Sequence, residues 1–274
     1  MNWERRPFWK LTGSGNDFVF LDARDEPAGP LETAEVIGAL CDRRRGVGAD
    51  GVVFFERDAE VAYGIRYFNR DGSLAEFCGN ASLCSVTLAG ELGVVTPGSS
   101  FRFRTSSGVI AGRLGPGGPR VGMPPVSEAD PAFEAALEAG EARVGYARVG
   151  VPHLVVACAA VGDVDVPRRG RELRYHPALP AGANVNFVAR GDRGWTYRTY
   201  ERGVEEETLA CGSGSVATAA MLRAWEGFQG PIALITRSGA VLEVGFGPDG
   251  PTLAGEGRLV FEGRLWDVVS AAGP

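Results

Sequence analysis

Two distant segments of the chain carry the same local pattern: Phe77-Cys78-Gly79-Asn80 and Ala210-Cys211-Gly212-Ser213 each follow a polar turn and precede a helix-like stretch. This duplication favours a fold with two similar halves, each setting a thiol at the start of a helix. A thiol there meets backbone N–H groups and the positive end of the helix dipole, which lower a cysteine pKa from its free value of about 8.5. Two such thiols form a pair able to handle one proton from opposite sides.

The surrounding pattern supports the repeat. In the first half, Phe8 to Leu11 and Phe18 to Leu21 read as strands about a Gly13-Ser14-Gly15-Asn16-Asp17 turn. A helix over Glu32 to Arg45 ends in a basic cluster, read as a solvated helix end, before Gly46. Strands over Val52 to Phe55 and Ala62 to Phe68 precede a helix over Cys78 to Leu92, and strands follow at Phe101 to Thr105 and Val109 to Leu114. Gly122-Met123-Pro124-Pro125 reads as a crossing between domains. The second half offers a strand led by Val151-Pro152-His153, an Asn184-Val185-Asn186-Phe187 stretch that echoes the first Asn turn, a strand over Trp195 to Tyr200 and a helix over Cys211 to Gly227.

Composition removes several function classes. A net charge of −6 leaves no basic footprint for nucleic acid. No apolar run reaches the roughly 18 residues of a membrane helix, and the opening Met1-Asn2-Trp3-Glu4-Arg5-Arg6 lacks a signal-peptide core, so a cytoplasmic location is expected. Five cysteines without a C-x-x-C pair read as free thiols, and two histidines make a zinc site improbable, so no metal is expected. Lys10 is the single lysine, which disfavours pyridoxal phosphate with its Schiff base, and no dinucleotide or P-loop fingerprint is present. No cofactor is expected. The expected partners are a small amino-acid substrate and a second copy of the chain in a homodimer.

The candidate chemistry centres on the helix starts. Gly79, Asn80, Gly212 and Ser213 are small or polar, so N–H groups stand open to an anion. A carboxylate held between two such starts would place its Cα–H beside both sulfurs, and aligned donors would meet the enolate charge as it develops. One positioned acid or base supplies only about 10² to 10⁴-fold, so exclusion of water and helix-start electrostatics must contribute as well. Cys41, Cys84 and Cys158 have no matched context and read as buried structural thiols.

His153 either exchanges a proton with a thiol or is structural. Glu201 and Arg202 are either a solvated pair or site residues. In the second case Arg202 clamps a second carboxylate, while Glu201 poises Cys211 or receives an ammonium group. Asn16, Asn69 and Asn184 singly suit turns, and jointly they suit a zwitterion.

From Lys10 to Trp266 the motifs resemble the diaminopimelate epimerase family. The matching stretches are Gly13-Ser14-Gly15-Asn16-Asp17-Phe18, Gly46 to Gly51, Phe68-Asn69-Arg70-Asp71-Gly72-Ser73, Cys78-Gly79-Asn80, Pro152-His153, Asn184-Val185-Asn186-Phe187, Tyr200-Glu201-Arg202-Gly203 and Ala210-Cys211-Gly212-Ser213-Gly214. The resemblance implies an α+β fold of two pseudo-symmetric domains, each a mostly antiparallel sheet or barrel wrapped around a central helix, with the site in the cleft between them. The expected domains are 1–122 plus 254–274, and 123–253.

It also implies a cofactor-independent epimerase that interconverts LL- and meso-diaminopimelate for lysine and peptidoglycan synthesis, with Cys78 and Cys211 as the two bases. His153 would assist Cys78 and Glu201 would assist Cys211. Asn16, Asn69, Asn184 and Arg202 would hold the distal end of the substrate, and Gly79, Asn80, Gly212 and Ser213 the reacting carboxylate. The sequence departs from the commoner family pattern at Thr12, Ala81-Ser82-Leu83 and Val151, where His, Gly-Ala-Arg and Asn are usual. A related racemase of another amino acid, a dithiol redox protein and an amino-acid-binding protein without turnover are the alternatives.

Overall fold

Hydrophobic alternation and tight glycine turns build the strands, and the first hairpin sets the pattern. In the computed structural model, which describes residues 5–75 and 77–266, β1 (Pro7–Gly13) and β2 (Asn16–Asp22) pair antiparallel around Ser14 and Gly15, both at positive φ. Residues 1–4, Glu76 and 267–274 lie outside the described residues, and with them the opening Met1-Asn2-Trp3-Glu4 and the extremities of the expected first domain. The chain divides into two compact units, Met1–Val121 with Glu256–Pro274, and Gly122–Gly255.

In the first unit α1 (Ala34–Cys41) carries the chain from β2 to β3 (Gly51–Glu56), which lies parallel to β2, and β4 (Gly64–Asn69) returns antiparallel to β3. The helix α2 (Gly79–Glu91) leads to β5 (Ser100–Thr105), parallel to β4, and the hairpins through β6 (Gly108–Gly115) and β7 (Gly118–Gly122) complete the run.

The second unit repeats this order. A lead strand β8 (Val126–Asp130) pairs with β9 (Glu141–Val149), which forms a hairpin with β10 (Val151–Cys158). The helix α3 (Val166–Arg174) crosses to β11 (Asn184–Gly191), parallel to β10 and antiparallel to β12 (Gly194–Glu201). After the short β13 (Glu206–Thr208) and α4 (Gly212–Glu226), β14 (Ile232–Ile235) lies parallel to β12, and β15 (Val241–Gly247) and β16 (Gly250–Ala254) close the run. In the first unit the place of β8 is taken by the final strand β17 (Arg258–Arg264), paired with β1. The fold is therefore two pseudo-symmetric α+β units, each a mostly antiparallel sheet around one helix.

Because strand side chains alternate, each sheet buries two different faces. On one face Val19, Leu21, Val52, Phe54 and Phe68 meet Val36, Ile37 and Leu40 of α1. The equivalent face of the second unit joins Leu154, Val156, Val185, Phe187 and Tyr200 to Val166 and Leu173 of α3. The opposite faces receive α2, which packs on β1, β4, β6 and β17, and α4, which packs on β9, β10, β11 and β15. Both helices are buried over most of their length, and α4 ends where Gly227, at φ 72, donates its N–H to the Arg223 carbonyl.

The first helix is shorter than the sequence predicts. Thr33 caps it by accepting the Val36 N–H, so it starts after Glu32. At its end Asp42 takes the backbone N–H groups of Arg44 and Arg45 at 2.8 and 2.7 Å, which holds the chain in a turn. Arg43 does not simply meet solvent either: its guanidinium bridges Asp17 and Asp50. Side-chain competition for backbone donors thus overrides helix propensity there.

Candidate active site

In the second unit, strand register gathers the polar residues on the face that α4 covers. His153 pairs with Asn184 across the parallel β10–β11 ladder, and Asn186 pairs with Thr199 across the antiparallel β11–β12 ladder. Period-two alternation therefore puts His153, Asn184, Asn186, Tyr197, Thr199 and Glu201 on one side. Above them Cys211 is the N-cap of α4, and its sulfur accepts the Gly214 N–H at 3.4 Å, with Ser213 Oγ at 3.6 Å.

This approach requires glycine at 214, since a Cβ there would stand 2.3 Å from Asn186 Oδ1. The Tyr197 hydroxyl accepts the Cys211 N–H at 3.1 Å and lies 2.7 Å from Ser215 Oγ. Burial pushes that phenol up, so Tyr197 serves as a neutral brace.

Glu201 is the acidic neighbour of this thiol. Its carboxyl hydrogen-bonds the Cys211 thiol and accepts from the Thr208 hydroxyl. Burial raises its pKa above the ordinary carboxylate range, against the opposing effect of those two hydrogen bonds. His153 is fully buried. Burial, reinforced by the charge of Arg202, brings its pKa down to about 3, so the ring is neutral near pH 7. Asn184 Oδ1 accepts the Arg202 backbone N–H at 2.7 Å, and the Arg202 guanidinium donates to the Ala181 carbonyl at 3.0 Å.

The first unit frames Cys78 in the same way. It is the N-cap of α2, half-buried, and its sulfur accepts the Ala81 N–H at 3.5 Å. Helical geometry leaves the N–H groups of Gly79 and Asn80 without carbonyl partners inside the helix, as it does those of Gly212 and Ser213. Asn80 Nδ2 donates to Asn16 Oδ1 at 2.7 Å, and Asn16 Nδ2 donates to Asp50 Oδ2 at 3.0 Å. Asp50 accepts only, so this chain fixes both amides and leaves Asn80 Oδ1 as a buried acceptor without a hydrogen-bond partner among the described residues.

Behind it, Lys10 pairs with Asp17 at 2.7 Å and donates to the Gly48 carbonyl. Asn69 closes its own turn, donating from Nδ2 to Ser73 Oγ at 3.0 Å.

The expected site residues thus fall into two sets: Cys78, Gly79, Asn80 and Asn16 join in the first unit, with Asn69 bonded within its own turn, and His153, Asn184, Glu201, Arg202, Cys211, Gly212 and Ser213 cluster in the second. Asp50, Asn186, Tyr197, Thr199 and Thr208 complete these networks and were not singled out from sequence. Asn186 carried a signal, because its spacing of two from Asn184 on a strand puts both on one face. The other thiols differ in kind. Burial pushes Cys41 up to about 11 and Cys158 up to about 12, and raises Cys84 well above the ordinary range.

Comparison with known proteins agrees with this arrangement. The chain matches the family profile described as diaminopimelate epimerase over residues 8–124 and 145–249. It is 45% identical to a diaminopimelate epimerase of Gemmatimonas aurantiaca, over 94% of this chain and 98% of that protein. It is 39% identical to the enzyme of the same name from Aquifex aeolicus, over 96% and 98%. Among solved structures, a PhzF-family phenazine biosynthesis protein of Bacillus anthracis shares the fold at a TM-score of 0.74 and 13% identity, covering 96% of this chain and 99% of that one. With two capped thiols on a duplicated frame and these matches along nearly its whole length, the chain belongs to the diaminopimelate epimerase family.

Proposed function

We propose that the chain interconverts LL- and meso-diaminopimelate by moving a proton at one Cα between two sulfurs, Cys78 and Cys211. The observation that carries this reading is the matched capping of α2 and α4 by cysteine in two units of the same topology. One thiolate takes the Cα proton, and the electron pair of that bond spreads into the carboxylate as an enolate. The N–H groups of Gly79, Asn80, Gly212 and Ser213 stabilise it. The opposing thiol then delivers its proton to the other face, leaving the two sulfurs with exchanged protonation states. No cofactor enters this scheme.

In this reading Glu201 assists Cys211 and His153 assists Cys78. Asn16, Asn69, Asn184 and Arg202 hold the distal amino-acid end. Val151 lies just before Pro152 and His153 at the start of β10 and supplies no polar contact to that end. We place the reaction in the cytoplasm, whose reducing conditions keep thiols free. Cys41, Cys84 and Cys158 are free thiols, and among the described residues no helix is long and apolar enough to cross a membrane. The chain is proposed to act as a homodimer, for which Val260 and Phe261, exposed on β17, offer apolar surface; sedimentation at micromolar concentration tests this.

The test of function is epimerisation of purified LL-diaminopimelate without added cofactor, alongside single-centre amino acids. Formation of the meso isomer by the wild type, lost in Cys78→Ala and in Cys211→Ala with substrate binding retained, is the expected result. Turnover of single-centre amino acids alone would overturn the substrate assignment.

A further inference from the structure

His153 has two ring nitrogens, and what it can do depends on which one carries the proton. The structure settles this through Asn186. The Asn186 Nδ2 group lies 3.0 Å from the Leu154 carbonyl and 3.3 Å from His153 Nδ1, while its Oδ1 accepts the Thr199 hydroxyl at 3.0 Å. A carbonyl oxygen only accepts, so the amide cannot be turned over without setting two acceptors against each other. Both Nδ2 hydrogens are thereby assigned, one to Leu154 and one to the imidazole. An amide NH₂ only donates, so Nδ1 must be the bare nitrogen and the ring proton must sit on Nε2.

The amide is also held in place. Thr199 is its direct partner across the β11–β12 ladder, and Oδ1 abuts Gly214, the residue whose N–H reaches the Cys211 sulfur. Meanwhile Nε2 is buried and meets no hydrogen-bond partner among the described residues. A buried N–H left without an acceptor destabilises the fold, and such a cost is expected where a partner arrives during function.

We propose that Asn186 is a positioning residue that locks His153 in the Nε2–H tautomer, so that the imidazole meets its reacting partner as a hydrogen-bond donor. This deepens the reading in which His153 assists a thiol, and rests on it for its functional meaning: a donor at Nε2 stabilises a thiolate and does not remove a proton from a thiol. The arrangement is thus suited to hold a sulfur in its charged form. His153 stays neutral while doing so, and its proton need not leave the ring.

The chain has only two histidines, so uniform ¹⁵N-histidine labelling yields a spectrum with two rings. His176→Gln identifies the second. At neutral pH the His153 ring is expected to show a protonated nitrogen coupled to both ring carbon-bound protons, which is Nε2, and a bare nitrogen coupled strongly to one, which is Nδ1. A protonated Nδ1, or an imidazolium, would overturn the proposal.

Asn186→Asp replaces the donor by an acceptor and is expected to move the proton to Nδ1 or to doubly protonate the ring. Should that variant not fold, Asn186→Ala is expected to give a tautomer mixture. A ring that keeps a pure Nε2–H in the folded variant would remove Asn186 as the cause. None of these measurements uses turnover, so a failure of the catalytic reading shows separately, as wild-type epimerisation by His153→Ala.

Discussion

The two units share a backbone plan but fill its equivalent positions with opposite chemistry. Aligning the ladders places Phe18 with His153, Val53 with Asn186 and Tyr67 with Thr199, since Phe18 pairs with Gly51, Val53 with Tyr67, His153 with Asn184 and Asn186 with Thr199. Two residues further along, Asn69 of β4 corresponds to Glu201 of β12. The first unit thus packs its helix on an aromatic face, where Phe18 meets Phe20 and Tyr67 edge to face. The second presents an imidazole, an amide, a hydroxyl and a carboxyl. The frame positions a sulfur at each helix start, and the polar side chains of these aligned ladders lie on the second unit's sheet. In the proposed reaction the two thiols are therefore distinct, with a buried carboxyl on the Cys211 side and a neutral turn amide at the matching place on the Cys78 side.

Removing either sulfur breaks the comparison most severely. Cys78→Ala and Cys211→Ala are each expected to lower epimerisation by at least the order of 10² to 10⁴-fold that a positioned acid or base supplies, measured as initial rates. Glu201→Gln sharpens it, because it makes the second unit resemble the first at that position. The expected loss in kcat is on the order of 10².

Stability should move the other way. The folded-state pKa of Glu201 is raised, so its contribution favours folding below the unfolded value and is lost as pH rises through the folded one. At neutral pH the Gln variant should consequently resist urea better than the wild type.

Gly214→Ala forces a Cβ to within 2.3 Å of Asn186 Oδ1. It should cost about 1 to 3 kcal/mol of stability by urea denaturation. A neutral outcome would mean that the Asn186 brace yields easily.

Asp50→Asn removes the obligate acceptor that orients Asn16 and Asn80. A drop of roughly fivefold in kcat/KM, near 1 kcal/mol, is expected with the fold intact.

A further effect is in acid. His153 has its pKa depressed from 6.5 to about 3, so between those values the unfolded chain binds the extra proton and stability falls as pH falls. His153→Gln should flatten this part of the pH dependence, read as urea midpoints from pH 7 to 4.

Much of this was legible from sequence because the signals were local. Cys78 and Cys211 announced themselves by the small residues after them, and each caps a helix within a residue of the predicted start. Asn69 and Gly227 sit at turns for reasons their types supply. Other features depended on long-range register. The Asn184 stretch echoes the Asn16 turn in sequence, yet topologically β11 corresponds to β3, so Asn184 occupies the place of Gly51. Asn186 and Thr199 gain meaning only once β10, β11 and β12 are aligned, and Asp50 only once its carboxylate reaches across from another loop to Asn16. The helix end at Cys41 was missed because Asp42 captures two backbone donors, a choice that periodicity does not encode.

The source of the returned proton tests the central claim most directly. LL-diaminopimelate turned over in D₂O and sampled at low conversion should give meso product carrying deuterium at the inverted Cα, while recovered substrate stays unlabelled, because one sulfur removes hydrogen and the other delivers solvent-derived deuterium. Product that retains its original hydrogen, or substrate labelled as fast as product forms, would contradict a two-thiol transfer.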